Sequence, residues 1–153
     1  MASITDPFSG EELFKAEPER VFGVLSNLDA LAKAIPGLVS AERPDERTLK
    51  CVVKPALSFI GGSVKITLSI AKAVPPGSIT LNLGSSGVGM TLDLVSTMTI
   101  TPAETGQSRL QWSAQVVKMT GLVKAAPAAL VRAAADKVIR DGWAELRKQI
   151  ETP

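Results

Sequence analysis

The sequence contains no histidine, no tyrosine and only one cysteine among 153 residues. Histidine is the side chain best placed to move protons near neutral pH and is the commonest metal ligand. Without it, Ser-His and Cys-His nucleophiles and His-based zinc or iron sites cannot be assembled. The lone Cys51 excludes an internal disulfide and every CxxC motif, which is compatible with a reducing cytoplasm. Net charge is also small: 17 basic against 15 acidic residues leave +2, too little to make nucleic acid the main partner. Long apolar runs are missing too. The stretches 122–130 and 131–139 are interrupted by Lys124, Pro127, Arg132 and Lys137, and Met1–Asp6 lacks the charged and apolar regions of a secretory signal. We therefore expect no catalytic residue, no metal and no cofactor, in a soluble cytoplasmic protein.

What is present reads as an ordinary globular domain, 45% apolar and 21% charged, with a length that suits one domain over residues 1–153. Phe8 to Ala16 predicts a first strand. Pro18 opens a helix carrying Val21, Phe22 and Leu25 at helical spacing, and Asn27 suits the N-cap of a second short helix that stops at Pro36-Gly37. Alternation then takes over through 38–43, 48–57, 63–71, 79–83, 90–100 and 110–117, with turns at 75–77, 84–89 and 102–106. From about Leu122 to Ile150 the period becomes helical, with Pro127 expected in the first turn. Val131, Ala135, Ile139, Trp143, Leu146 and Ile150 form one stripe, with Leu130, Ala134 and Val138 beside it.

Consecutive strands with short turns make an antiparallel meander whose single apolar face must be covered. Only the last helix is long enough. The expected fold is α+β: a curved antiparallel sheet of about seven strands wrapped around a long C-terminal helix, with two short helices after strand 1. Gly84 to Gly89 superficially resembles a phosphate loop, but no lysine and no helix follow it, so that role is rejected.

This order is that of the helix-grip (Bet v 1/START-like) superfamily. Two segments narrow it. Phe8-Ser-Gly-Glu-Glu-Leu-Phe-Lys-Ala-Glu-Pro-Glu-Arg-Val-Phe22 and Leu28-Asp-Ala-Leu-Ala-Lys-Ala-Ile-Pro-Gly37 resemble the opening of the CoxG family of carbon monoxide dehydrogenase subunits. Leu38 stands where family members often carry a cysteine. The resemblance implies a deep hydrophobic cavity and a lipophilic ligand, quinone- or lipid-like. It also implies an accessory role to a carbon monoxide dehydrogenase-type molybdenum hydroxylase, with peripheral contact at the inner face of the membrane.

The residues offer their own hint of a cavity. Ala125, Ala126, Ala128, Ala129, Ala133, Ala134 and Ala135 crowd the start of the last helix, which leaves room opposite a sheet lined by Leu, Ile and Met. The competing reading is a tight core, since alanine is the best helix former and interiors are close-packed. The residues expected to line the cavity are Phe22, Ile66, Leu68, Leu81, Leu92, Leu94, Met98, Trp112, Leu130, Ala134 and Val138. Trp112 and Trp143 serve equally well as core anchors, Cys51 reads as a buried inert thiol, and Asp93 lies in outward phase as a solvated carboxylate. The inward phases offer only Ser96 and a thiol as polar groups, which argues against a cyclase- or hydrolase-like enzyme. An assembly factor with a filled core is the remaining alternative.

Overall fold

A computed structural model describes residues 8–35, 37–54, 62–75, 77–87, 89–121 and 127–152, apart from the side chains of Ala128, Val131 and Ala134. Alternating patterns become β1 (Phe8–Phe14), β2 (Leu38–Asp45), β3 (Thr48–Val53), β4 (Val64–Val74), β5 (Ser78–Gly87), β6 (Met90–Pro102) and β7 (Ser108–Gly121). Helical patterns become α1 (Pro18–Leu25), α2 (Leu28–Lys33) and α3 (Ala128–Glu151). The strands form one seven-stranded sheet in the order β1-β7-β6-β5-β4-β3-β2, antiparallel throughout. This is the expected helix-grip fold.

Local chemistry fixes the two short helices. Pro18 sits at the start of α1, where its missing N–H costs nothing. Val21 and Leu25 are fully buried one turn apart. The Asn27 side chain accepts from the backbone N–H groups of Asp29 (2.9 Å) and Ala30 (3.2 Å), a cap that contributes about 1 kcal/mol. At Gly37 φ is +74°, and its carbonyl accepts from Lys54 N at 2.8 Å. A Cβ at Gly37 would collide with the Lys54 carbonyl, so the backbone passes from α2 into the sheet only on a glycine.

The element boundaries differ from expectation in several places, with β2, β4, β6 and β7 all running longer than expected. β5 runs through Gly87, where a turn is expected from Gly84. Ladder pairing persists because Gly84 leaves space for the Asp93 carboxylate, 3.2 Å from where a Cβ would lie, and Ser85 donates to the Leu92 carbonyl at 3.1 Å. β1 stops at Phe14, before Ala16, whose carbonyl accepts instead from the Ser108 hydroxyl at 2.6 Å. β3 ends at Val53, and its expected extension over residues 55–57 lies outside the described residues. Pro127 is the N-cap of α3 rather than part of its first turn, and the lead-in from 122 to 126 lies outside the described residues.

α3 is tied down at its C-terminal end. Arg20 donates from Nε to the Ile150 carbonyl (3.1 Å) and from Nη2 to the carbonyls of Gln149 (2.8 Å) and Thr152 (2.6 Å). The last carbonyls of a helix have no partners within it, so this guanidinium caps the C-terminus of α3. Arg147 pairs with Glu12 on β1 at 2.8 Å, donates to the Leu13 carbonyl, and stacks over Phe14 at 4.6 Å. Gln149 Nε2 donates to the Ala30 carbonyl at 3.0 Å, and Glu151 accepts from Lys15 N at 2.8 Å. All these tethers fall on residues 147–152. In the first half of α3, Arg132 stacks over Phe8 at 4.1 Å.

Candidate ligand-binding face

Register sets which side chains share the face under α3. Cys51, Ile66, Ser85, Leu92 and Met119 lie in one cross-strand row, and Leu68, Leu83, Leu94 and Val116 in the next. A third row is Ile70, Leu81, Ser96 and Ala114, and a fourth is Ile79, Met98 and Trp112. Ile100 and Leu110 complete the face toward α1.

Burial along this face is graded. At the α1 end, Ile79 and Leu110 are 0% exposed and Met98 and Ile100 are 4% exposed. Phe14 and Trp143 pack there with ring centroids 6.1 Å apart, and Trp143 meets Trp112 at the same distance. Further along the same strands, Ile66, Ile70, Leu83, Leu92, Leu94, Ser96, Ala114 and Met119 are only half-buried. These residues face inward on interior strands of a seven-stranded sheet beneath a 24-residue helix. A close-packed core would bury them fully. Their accessibility leaves part of this apolar face open, although Leu68, Leu81, Met90 and Val116 on the same strands are buried.

The expected lining residues divide accordingly. Leu68, Leu81 and Met98 face inward and are buried; Ile66, Leu92, Leu94 and Trp112 face inward and are half-buried. Phe22, on α1, is half-buried against the core. Leu130 and Val138 are 44% and 43% exposed, and this corrects their expected place. The tethered Leu146 and Ile150 set the rotation of α3, and at 100° per residue the inward line then passes through Trp143, Ile139 and Ala135. Val138 falls about 100° from that line and Leu130 about 180° from it, on the opposite face of the helix. The backbone of Ala134 lies between them, and its side chain lies outside the described residues. Ile70, Leu83, Ala114, Met119 and Ile139 are absent from the expected set; alternation alone identifies Ile70 and Leu83 once the sheet order is known.

Polar groups on this face are almost all satisfied internally. Ser85 donates to Leu92, Ser108 to Ala16, and Glu12 is paired with Arg147. Burial pushes the Cys51 thiol up from its ordinary value of 9.0, so it stays protonated and unreactive. Two donors remain. Ser96 makes no side-chain hydrogen bond among the described residues. The Trp112 indole lies over Gly10, where a Cβ would approach the ring within 2.9 Å, and its Nε1–H is shielded and without a partner. An orphaned N–H of this kind costs about 1–3 kcal/mol. Asp93 lies in outward phase, in register with Lys118, as expected. Among the described residues no group of three acidic, Cys or His side chains could hold a metal.

Two grooves mark the outer surface. One of about 480 Å³ lies between α1, α2 and the end of α3, and one of about 670 Å³ crosses β2 to β6 beside Lys50, Lys65 and Asp93. The first is lined largely by polar and charged groups, and the second mixes Lys50, Lys65 and Asp93 with the apolar Ala41, Val52 and Ile66.

Residues 10–151 match the family described as the CoxG subunit of carbon monoxide dehydrogenase. The chain belongs to the CoxG family. Solved structures agree on the fold. A conserved protein from Geobacillus kaustophilus superposes with a TM-score of 0.87 at 20% identity, covering 95% of each chain. A START superfamily protein from Mycobacterium smegmatis gives 0.68 at 14% identity, over 95% of this chain and 97% of that one. Ara h 8.0201 gives 0.70 at 14% identity, over 97% and 99%. No curated protein shows a significant match to the sequence. CoxG membership and the START/Bet v 1-like fold make this a helix-grip protein. The positive φ at Gly37 and its contact with Lys54 give the glycine of the CoxG-like Ile35-Pro36-Gly37 segment a structural reason. Among the described residues, no helix is long and apolar enough to cross a membrane.

Proposed function

We propose that this protein binds a lipophilic small molecule, quinone- or lipid-like, between α3 and the central strands, and that it does so without catalysis. The observation that supports this most directly is the graded burial of one continuous apolar face. Ile79, Met98, Ile100 and Leu110 are sealed, while Leu83, Leu92, Leu94 and Met119 on the same strands stay accessible. Apolar surface left open inside a domain is a binding surface in search of an occupant. The sequence has no histidine and no tyrosine, and among the described residues the inward-facing polar groups are hydroxyls, the Trp112 indole, the protonated Cys51 thiol and a Glu12 carboxylate paired with Arg147, a set that favours binding over acid–base work. CoxG membership supports an accessory role to a carbon monoxide dehydrogenase-type molybdenum hydroxylase in the cytoplasm, with peripheral contact at the membrane as the place where a lipophilic cargo is exchanged.

The test is native mass spectrometry of protein purified from its own host, with organic extraction of what it carries. A co-purifying quinone or lipid near one per chain supports the proposal and names the cargo. A protein that arrives empty, and that takes up neither quinones nor fatty acids in titration, refutes it.

A further inference from the structure

We infer that the part of α3 before Gly142 is a gate over the apolar face, that it swings on Gly142, and that the stacking of Arg132 over Phe8 is the latch that holds it closed. This rests on the proposal that the face binds a lipophilic molecule. Among the described contacts, the grip on α3 changes at one residue. After Gly142, Trp143 packs on Phe14 and Trp112, and Leu146 and Ile150 are buried. Arg147, Gln149 and Glu151 are bonded to β1, to α2 and to the Lys15 backbone. Before Gly142, the inward Ala135 and Ile139 are only half-buried, and Arg132 lies over the Phe8 ring at 4.1 Å. Packing does not demand a glycine at 142. A Cβ there would meet the Ala34 carbonyl oxygen at 3.7 Å, an ordinary contact, and inside a helix glycine is less favourable than alanine. What glycine supplies at that place is a backbone that bends with little resistance, where the held turns meet those before them.

The latch is placed where a gate closes. Phe8 pairs with Ala114, so it ends the cross-strand row of Ile70, Leu81, Ser96 and Ala114 on the edge strand β1. Arg132 stands about two turns before Ile139, which puts it on the same inward line of α3. The stack therefore joins helix to sheet rim level with the half-buried floor, and Phe8 is buried although its strand is an edge. A guanidinium over a phenyl ring is a modest attraction, stronger where water is excluded, and on release the charge passes back into water. That strength keeps a gate closed most of the time without forbidding its opening. Half-buried side chains admit water, whereas a ring system or an acyl chain needs the helix to move off the sheet.

The experiment is stopped-flow mixing of lipid-free protein with Nile red, an uncharged dye whose emission rises in apolar surroundings, using the wild type, Arg132→Ala, Phe8→Leu and Gly142→Ala. Phe8→Leu keeps apolar bulk at the latch and removes the ring; should it fail to fold, Arg132→Ala carries the test. Weakening the latch is expected to raise the association and dissociation rates together, by about five-fold, and so to leave Kd unchanged. Gly142→Ala is expected to lower both rates about three-fold although it raises stability. Unchanged rates in Arg132→Ala, or a change in Kd without a change in the association rate, overturn the latch while the apolar site stands. Unchanged rates in Gly142→Ala overturn the hinge. If the wild type does not bind the dye, the apolar site itself fails and the gate with it.

Discussion

Two leucines on adjacent strands offer a direct test of graded burial. Leu110 on β7 is 0% exposed, whereas Leu94 on β6 faces the same way and is half-buried. Truncation to alanine removes the same atoms from both. At Leu110 the loss includes the full transfer contribution and a new void in a packed region, so about 3–4 kcal/mol is expected. At Leu94 the side chain already borders open space, so little void is created. Full burial of a leucine is worth about 1.5–3 kcal/mol, and a half-buried one should forfeit about 1 kcal/mol. For a protein of this length these values correspond to falls in Tm of about 10 °C and about 3 °C. Equilibrium urea unfolding of lipid-free protein is the assay, with an unchanged m-value as the check that both variants unfold from the same state. If the two costs agree within about 0.5 kcal/mol, helix and sheet are packed equally along their length and the open face does not exist.

Gly142→Ala should stabilise the protein by about 0.4–1 kcal/mol, read as a higher urea midpoint. The nearest atom to the added Cβ is the Ala34 carbonyl oxygen at 3.7 Å, an ordinary contact. A loss of stability would show that α3 sits closer to α2 than described. Cys51 predicts a pH dependence. Burial raises its pKa above 9.0 in the folded protein, so the folded state holds the thiol proton more firmly than the unfolded chain does. Its contribution is fully present below about pH 9 and is lost as pH rises through the folded value. Stability of the wild type should therefore fall faster than that of Cys51→Ala between about pH 9 and 11. Parallel curves would mean the thiol is exposed to solvent.

Much of this molecule is legible without coordinates. Period-two alternation in residues 63–71, 90–100 and 110–117 announces three strands, because a one-residue slip would turn Ile66, Leu92 or Leu110 out to water. Pro18 and Asn27 announce two helix starts, each through a satisfied or missing backbone N–H. Local pattern fails where a side chain's partner is distant in sequence. Nothing local tells that Arg20 will hold the Gln149 and Ile150 carbonyls, yet that contact helps fix the rotation of α3 and so moves Leu130 and Val138 off the inward line. The glycines at 84–87 suggest a turn, and only the register with Leu92 and Asp93 reveals them as strand. Ser96 is visible as an inward hydroxyl from phase alone, but its lack of a partner among the described residues emerges only when its neighbours are in place.

The placement of the tethers on α3 has a mechanical consequence. A helix of 24 residues is about 36 Å long, and its C-terminal turns are gripped by Arg20, by Glu12 through Arg147, and by Ala30 through Gln149. It is a beam gripped by several hydrogen bonds and ion pairs at one end and, among the described residues, held at the other by the stacking of Arg132 on Phe8. Rotation about the gripped end by a few degrees would carry the far turns through several ångströms, with the Arg132–Phe8 stacking as the contact that must slide, while scarcely disturbing Leu146 or Ile150. The width of the space above Leu94 and Ser96 is then governed by one angle, and the sealed end of the core need not loosen to admit molecules of different girth.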